Sequence, residues 1–146
     1  MIRGKLLLIP RKEEWVEHQA ISTRNAPAPV GPYSPCVAWG NLVFVSGQGP
    51  LDPATGKPVD GDIVAQTSRV LANIDALLGE SGSSRDKILK VNVYLARIED
   101  FVAMNAVYGD FFGKPPYPAR TTIQAGALPG GIGVEIDVIA YRSDGR

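Results

Sequence analysis

The sequence predicts an α+β sandwich, a sheet with two helices packed on one of its faces. Three observations predict it. Two stretches, about 62–78 and 98–112, repeat apolar residues at helical spacing. Short stretches around them alternate apolar or β-branched residues with polar ones, as strands do. The length, 146 residues of ordinary apolar content, makes one domain with a core of its own.

Residues 1–19 stand apart as an N-terminal extension, and the domain is placed at 20–146. The extension holds a short apolar run, Leu6 to Ile9, then Pro10 and a charged stretch, Arg11 to Glu14. The run is too short for a secretory h-region, and no small-residue cleavage site follows it. An added tail or an upstream start is favoured over a docked strand or helix. The lone histidine, His18, falls in this stretch and reads as a surface residue.

Residues 20–24 are expected to form a first short strand. The next segment carries prolines at 27, 29, 32 and 35, which forbid a helix and favour an extended, ordered loop. Within it lies Gly31-Pro-Tyr-Ser-Pro. Tyr33 has a backbone preset by its neighbours, so its ring costs little entropy to place. It contacts a ligand or packs the loop onto the body; spacing leaves both open. Cys36–Trp39 and Leu42–Ser46, joined by Gly40-Asn41, read as a hairpin. Ser46-Gly-Gln-Gly-Pro at its end permits close approach of a ligand to Gly47, or simply a turn. It is no phosphate loop, because neither a Walker lysine nor a dinucleotide glycine pattern follows. Cys36 reads as a small buried hydrophobe.

The first helix carries Ile63, Thr67, Val70, Leu71, Ile74, Leu77 and Leu78 on one stripe. Asp60 or Asp62 can cap its start, and Gly79 or Gly82 can end it. A strand follows over 88–96, with Leu89, Val91, Val93 and Leu95 alternating with Lys90, Asn92 and Tyr94. The stripe of the second helix is Phe101, Met104, Tyr108, Phe111 and Phe112, with Asn105 inside it. A buried amide left unbonded costs about 1–3 kcal/mol. A neighbouring backbone group is the favoured partner for Asn105; a binding site is the alternative.

After the stiff connector Gly113-Lys-Pro-Pro-Tyr-Pro come the last two strands. On the first, Arg120 and Thr122 share one face while Thr121 and Ile123 share the other. On the second, Val134, Ile136, Val138 and Ala140 form an apolar face, and Glu135 and Asp137 point the opposite way. Pro129-Gly-Gly between them is a plausible reversal. Antiparallel pairing across it would put Arg120 and Glu135 on the same side of the sheet. They would then form a site, or a plain cross-strand ion pair contributing about 0–1 kcal/mol. That face, with Arg120, Thr122 and Glu135, is expected to be free of helices and to be buried in an oligomer, with the site between subunits.

Composition narrows the chemistry. Zero formal net charge argues against a nucleic-acid partner. One cysteine and one histidine exclude an internal disulfide, cysteine-rich or histidine-cluster metal sites and histidine-dependent triads. No apolar run is long enough to span a membrane, and a cytoplasmic location is expected.

The motifs Gly31-Pro-Tyr-Ser-Pro, Val45-Ser-Gly-Gln-Gly-Pro, Met104-Asn-Ala-Val-Tyr and Pro118-Ala-Arg-Thr-Thr, with Val134-Glu-Ile, resemble those of the RidA family, also called YjgF or reactive-intermediate deaminases. The resemblance runs from about Ala20 to Arg142. It implies a homotrimer of chorismate-mutase-like sandwiches with a mixed sheet, a central β-barrel and clefts between subunits. It also implies hydrolysis of enamines and imines such as 2-aminoacrylate, giving a 2-oxo acid and ammonia with neither cofactor nor metal. By this resemblance Arg120 holds the substrate carboxylate and Glu135 handles water. Tyr33, Ser46, Gly47, Asn105 and Thr122 complete the substrate site. Many deaminating members have cysteine where Thr122 stands. Two other readings are a non-catalytic protein that binds 2-oxo acids, and a pathway-specific deaminase of a larger amino-substituted unsaturated acid. An RNA-directed activity, known among relatives, is disfavoured by the charge.

Overall fold

A computed structural model describes residues 17–143. The expectations for residues 1–16 lie outside the described residues, as does the end of the C-terminal tail. Eight elements follow the expected order: β1 (Gln19–Ile21), β2 (Cys36–Trp39), β3 (Leu42–Gln48), α1 (Ile63–Glu80), β4 (Ile88–Leu95), α2 (Phe101–Phe112), β5 (Ala119–Gln124) and β6 (Val134–Tyr141). The strands form one mixed six-stranded sheet of order β1-β2-β3-β6-β4-β5.

Helix α1 behaves as its sequence dictates. Asp62 accepts from the Ala65 amide at 3.0 Å, which satisfies one of the free donors of the first turn. The helix ends where Gly82 takes a φ of 79°. The amides of Gly82 and Ser83 then reach back to the carbonyls of Gly79 and Leu78 at 3.2 and 2.8 Å. Gly79 stays inside the helix. The expected stripe from Thr67 to Leu78 is buried, and Asn73 is buried with it. The second helix starts later than expected, at Phe101, because Ile98–Asp100 forms a tighter 3-10 turn. Both helices cover one face of the sheet. Val43, Val91, Ile136, Ile74 and Met104 make one core between the layers.

Two expectations for the strands fail. Leu89 is exposed because the ladder between β4 and β6 shifts register between Ile88 and Lys90, which turns Ile88 inward instead. More consequentially, β5 and β6 are not neighbours. β5 runs parallel to β4, as the crossover helix α2 requires. β6 lies antiparallel between β3 and β4. Pro129–Gly131 is a 3-10 turn within a longer connection, not a tight reversal.

This order fixes the faces. Arg120 and Thr122 pair with Val91 and Val93, which point into the core. Both therefore lie on the helix side, and the expectation that they mark the helix-free face is overturned. Glu135 pairs with Tyr94, and Asp137 with Asn92, on the open face. The side chains of Asn92 and Asp137 are bonded there at 2.8 Å. Phe44, Trp39 and Tyr141 lie exposed on or beside that face.

Loss of the α1 cap tests the local account. Asp62→Ala should lower unfolding free energy by about 1 kcal/mol. A urea series with an unchanged midpoint would show that Asp62 does not cap α1.

Candidate functional site

Arg120 stands half-buried on the edge strand β5, beside α2. Its guanidinium donates through Nη1 to Asn105 Oδ1 at 2.7 Å. Its Cζ lies 4.5 Å from the Tyr108 ring centre and 5.6 Å from that of Phe101. Neither ion pair among the described residues involves Arg120. Arg120, Asn105, Tyr108 and Tyr117 line a cleft of about 500 Å³. Asn105 corrects the sequence reading: it is exposed at the flank of the helix stripe, and its partner is the arginine rather than backbone. Thr122 stands two residues along on the same face, its hydroxyl buried without a partner among the described residues.

A second cleft, of about 580 Å³, gathers Tyr33, Ser46, Gly47 and Glu135 with apolar walls from Val30, Leu51 and Ile132. The glycine here has a specific cause. A Cβ on Gly47 would collide with Glu135 Oε1 and lie 2.9 Å from its Cδ. The carboxylate thus rests on the bare backbone of β3, where the β3–β6 register shifts between Val45 and Gln48. Ser46 fastens the proline-rich loop: its hydroxyl donates to Ser34 O at 2.7 Å and its amide to Pro35 O at 3.0 Å. Tyr33 folds back within that loop, its oxygen accepting from the Val30 amide at 3.4 Å, and its ring stays half-exposed. The cleft wall is anchored from the core. Asn73 donates to the carbonyls of Leu51 and Gly49 at 2.9 and 3.3 Å and accepts from Arg69 at 3.0 Å.

Burial, and after it the Asp137 carboxylate, hold the Glu135 carboxyl above its ordinary value. Cys36 is fully buried, and burial pushes its thiol up to about 11, so it is inert at neutral pH. His18 is exposed.

The seven residues singled out from sequence therefore form two groups. Arg120, Asn105 and Thr122 stand on the helix side. Tyr33, Ser46, Gly47 and Glu135 stand in the second cleft. Within one chain Arg120 and Glu135 do not meet: β4 lies between their strands, and they occupy opposite faces. The expected same-face pair and its ion-pair alternative are both overturned. Sequence reasoning also passed over Tyr108 as a partner of Arg120, Asp137 as a neighbour of Glu135, and Asn73. The first had a signal, since Phe101, Asn105 and Tyr108 recur at i, i+4 and i+7 on α2.

Known proteins resemble this chain in sequence and in fold. The sequence model of the family described as Endoribonuclease L-PSP matches residues 23–142. A RutC family protein of Pyrococcus abyssi is 46% identical over 124 residues, covering 85% of this chain and 97% of its own. The crystal structure of YyfA of Yersinia pestis, from the conserved Rid protein family, superposes with a TM-score of 0.83 at 42% identity, covering 86% and 99%. Escherichia coli TdcF, crystallised with bound serine, gives 0.82 at 37% identity, also covering 86% and 99%.

Two predictions follow from the Glu135 pocket. Gly47→Ala must displace the Glu135 carboxylate, the flexible end of its side chain, so it should destabilise the protein by no more than about 1 kcal/mol, and Glu135→Ala in the same chain should recover most of it. Additive losses in the double variant would show that the two do not touch. The second concerns pH. The folded chain keeps the Glu135 proton to higher pH than the unfolded chain. This group's contribution to stability therefore falls as pH rises from the ordinary carboxyl range through the folded value. Glu135→Gln, neutral throughout, should gain stability relative to the parent as pH rises above the ordinary carboxyl range. A constant gap between their melting temperatures would refute the raised value.

Proposed function

The chain belongs to the RidA/YjgF family and has its chorismate-mutase-like fold, and from that premise we propose that it is a hydrolytic deaminase of small 2-imino acids. The observation that carries this reading is the state of Arg120. An arginine with no carboxylate partner among the described residues, oriented by an amide and an aromatic ring at a cleft mouth, is built to receive an anion. A planar carboxylate fits its fork; lysine would match the charge but not the two parallel bonds.

The second group must come from elsewhere. Since Arg120 and Glu135 face opposite ways in one chain, they join only across a subunit contact. In the proposed homotrimer the Arg120 cleft of one protomer abuts the Glu135 cleft of its neighbour, with the open sheet faces turned inward as a barrel. With the carboxylate clamped, the imine carbon has a fixed place. Glu135 takes a proton from water as the oxygen bonds to that carbon and the C=N π pair moves to nitrogen, and it returns that proton to nitrogen, giving a carbinolamine. It then takes the hydroxyl proton and passes it to the same nitrogen as the C–N bond breaks and C=O forms, so that ammonia and the 2-oxo acid leave. For 2-aminoacrylate, tautomerised to its imine, the products are pyruvate and ammonia. A carboxyl held above its usual value is suited to taking and returning a proton near neutrality. The serine bound in the TdcF crystals, a small amino acid, is in keeping with a cleft of this kind in the family.

The name of the matching family model favours a second reading, RNA cleavage. Zero net charge stands against it. A salt titration of RNA binding discriminates: an RNA nuclease binds with a steep salt slope, and the deaminase does not bind.

Arg120→Ala and Arg120→Lys should leave the fold intact and abolish ammonia release from freshly generated 2-aminoacrylate. Arg120→Ala and Glu135→Gln chains, each inactive alone, should recover part of the activity when refolded together, because some contacts then carry both parent residues. Full activity in either arginine variant, or mixtures that stay inactive, would defeat the shared-site mechanism. Parent protein that binds pyruvate without releasing ammonia from any imine would identify a binding protein instead.

A further inference from the structure

Three residues on one arc of α2 converge on Arg120. Asn105 Oδ1 accepts from Nη1 at 2.7 Å. The Tyr108 ring lies under the same group, its centre 4.5 Å from Cζ, and Phe101 stands farther off at 5.6 Å. The hydrogen bond ties one nitrogen of the fork and the ring backs its carbon. Together they restrict the group more than either would alone.

Tyr108 is 5% exposed and packs against Phe112 at 4.7 Å between ring centres, so plain core filling is one account of it. Two facts separate it from filler. Its hydroxyl is buried with no partner among the described residues, so the phenol is not retained for a hydrogen bond that this chain supplies. Its ring also faces a cation with no carboxylate among the described residues to neutralise it. Leucine would fill much of the same space yet offer neither a flat face nor the negative quadrupole that attracts a guanidinium.

We infer that Tyr108 is a positioning residue for Arg120, acting through its ring rather than its hydroxyl, and that with Asn105 it holds the guanidinium in the attitude in which it meets a substrate carboxylate. The second half of this rests on the reading of Arg120 as the carboxylate clamp; the first half does not. The cradle orients the fork before substrate arrives, so less side-chain freedom is lost on binding. Replacing the ring should therefore weaken capture of the anion, while removing the hydroxyl alone should leave the guanidinium ordered.

Arginine side-chain NMR of the whole protein labelled with nitrogen-15 reads the inference directly. In the parent, Arg120 should show slowed guanidinium rotation and an Hε resonance moved upfield by the Tyr108 ring current. Tyr108→Phe should keep both features, Tyr108→Leu should lose both, and Asn105→Ala should restore fast rotation. Pyruvate affinity, measured by calorimetry, should fall roughly three- to tenfold in Tyr108→Leu. Arg120 signals unchanged in Tyr108→Leu, or lost in Tyr108→Phe, would overturn the inference. Should the leucine variant not fold, the parent decides alone: an unshifted Arg120 Hε overturns it. A parent that shows the ordered guanidinium yet does not bind pyruvate would refute the clamp while leaving Tyr108 as the residue that orients Arg120.

Discussion

Residues opposite one another in a ladder share a face, and two pairs of this sheet decide where its chemistry can occur. Val91 opposite Arg120 sends the arginine to the helix side; Tyr94 opposite Glu135 sends the carboxylate to the open side. The interposition of β4 between β5 and β6 separates the two groups further. A one-residue slip of β6 would move Val134, Ile136, Val138 and Ala140 to the open face. Burial of Val134, Ile136 and Val138 therefore holds Glu135 outward as firmly as any contact of its own. The core pins the two groups apart, and only a second chain can bring them together.

The two halves also differ electrically. Around Arg120 the neighbours are an amide and aromatic rings, which orient a cation without neutralising it. Around Glu135 the neighbours are apolar walls, a bare glycine and a second carboxylate, which discourage ionisation. Each half is incomplete in the sense that matters for reactivity: one holds a charge that lacks a counter-ion, the other a proton held more tightly than usual. Bringing such surfaces together favours both association and the binding of an anion between them.

Much of this was legible in the sequence, and the limit falls at a definite place. Periodicity within an element transferred well. The stripe of α1, its Asp62 cap and the alternation of Arg120 with Thr121 and of Val134 with Glu135 all stand in the structure. Relations between elements did not, because nothing local in Pro129–Gly131 records that the chain must pass β4 before it pairs. A proline and two glycines permit a tight turn without requiring one. Asn105 shows the same limit on a smaller scale. Helical spacing places it within the stripe, but whether its amide turns to backbone or to a neighbouring strand depends on where β5 lies. Asn73, passed over in the sequence, takes its meaning from the Gly49 and Leu51 carbonyls it bonds, which local periodicity does not record.

The placement of polar residues carries the last step. A protein that stabilised its sheet for its own sake would not set Glu135 beside Asp137, nor leave Arg120 without a counter-charge among the described residues. Glu135, its proton held by burial and by Asp137, sits at a register shift against the bare Gly47, and Arg120 sits on an edge strand. The open sheet face adds a third such feature, with Phe44 and Tyr141 left in water beside the acidic pair. One event would relieve all three. In the proposed assembly, contact between copies would cover the aromatic surface, give the arginine an acidic neighbour, and bring the raised carboxyl a cation and a bound anion to work beside. On that reading assembly and activity both follow from the registers that set Arg120 and Glu135 on opposite faces.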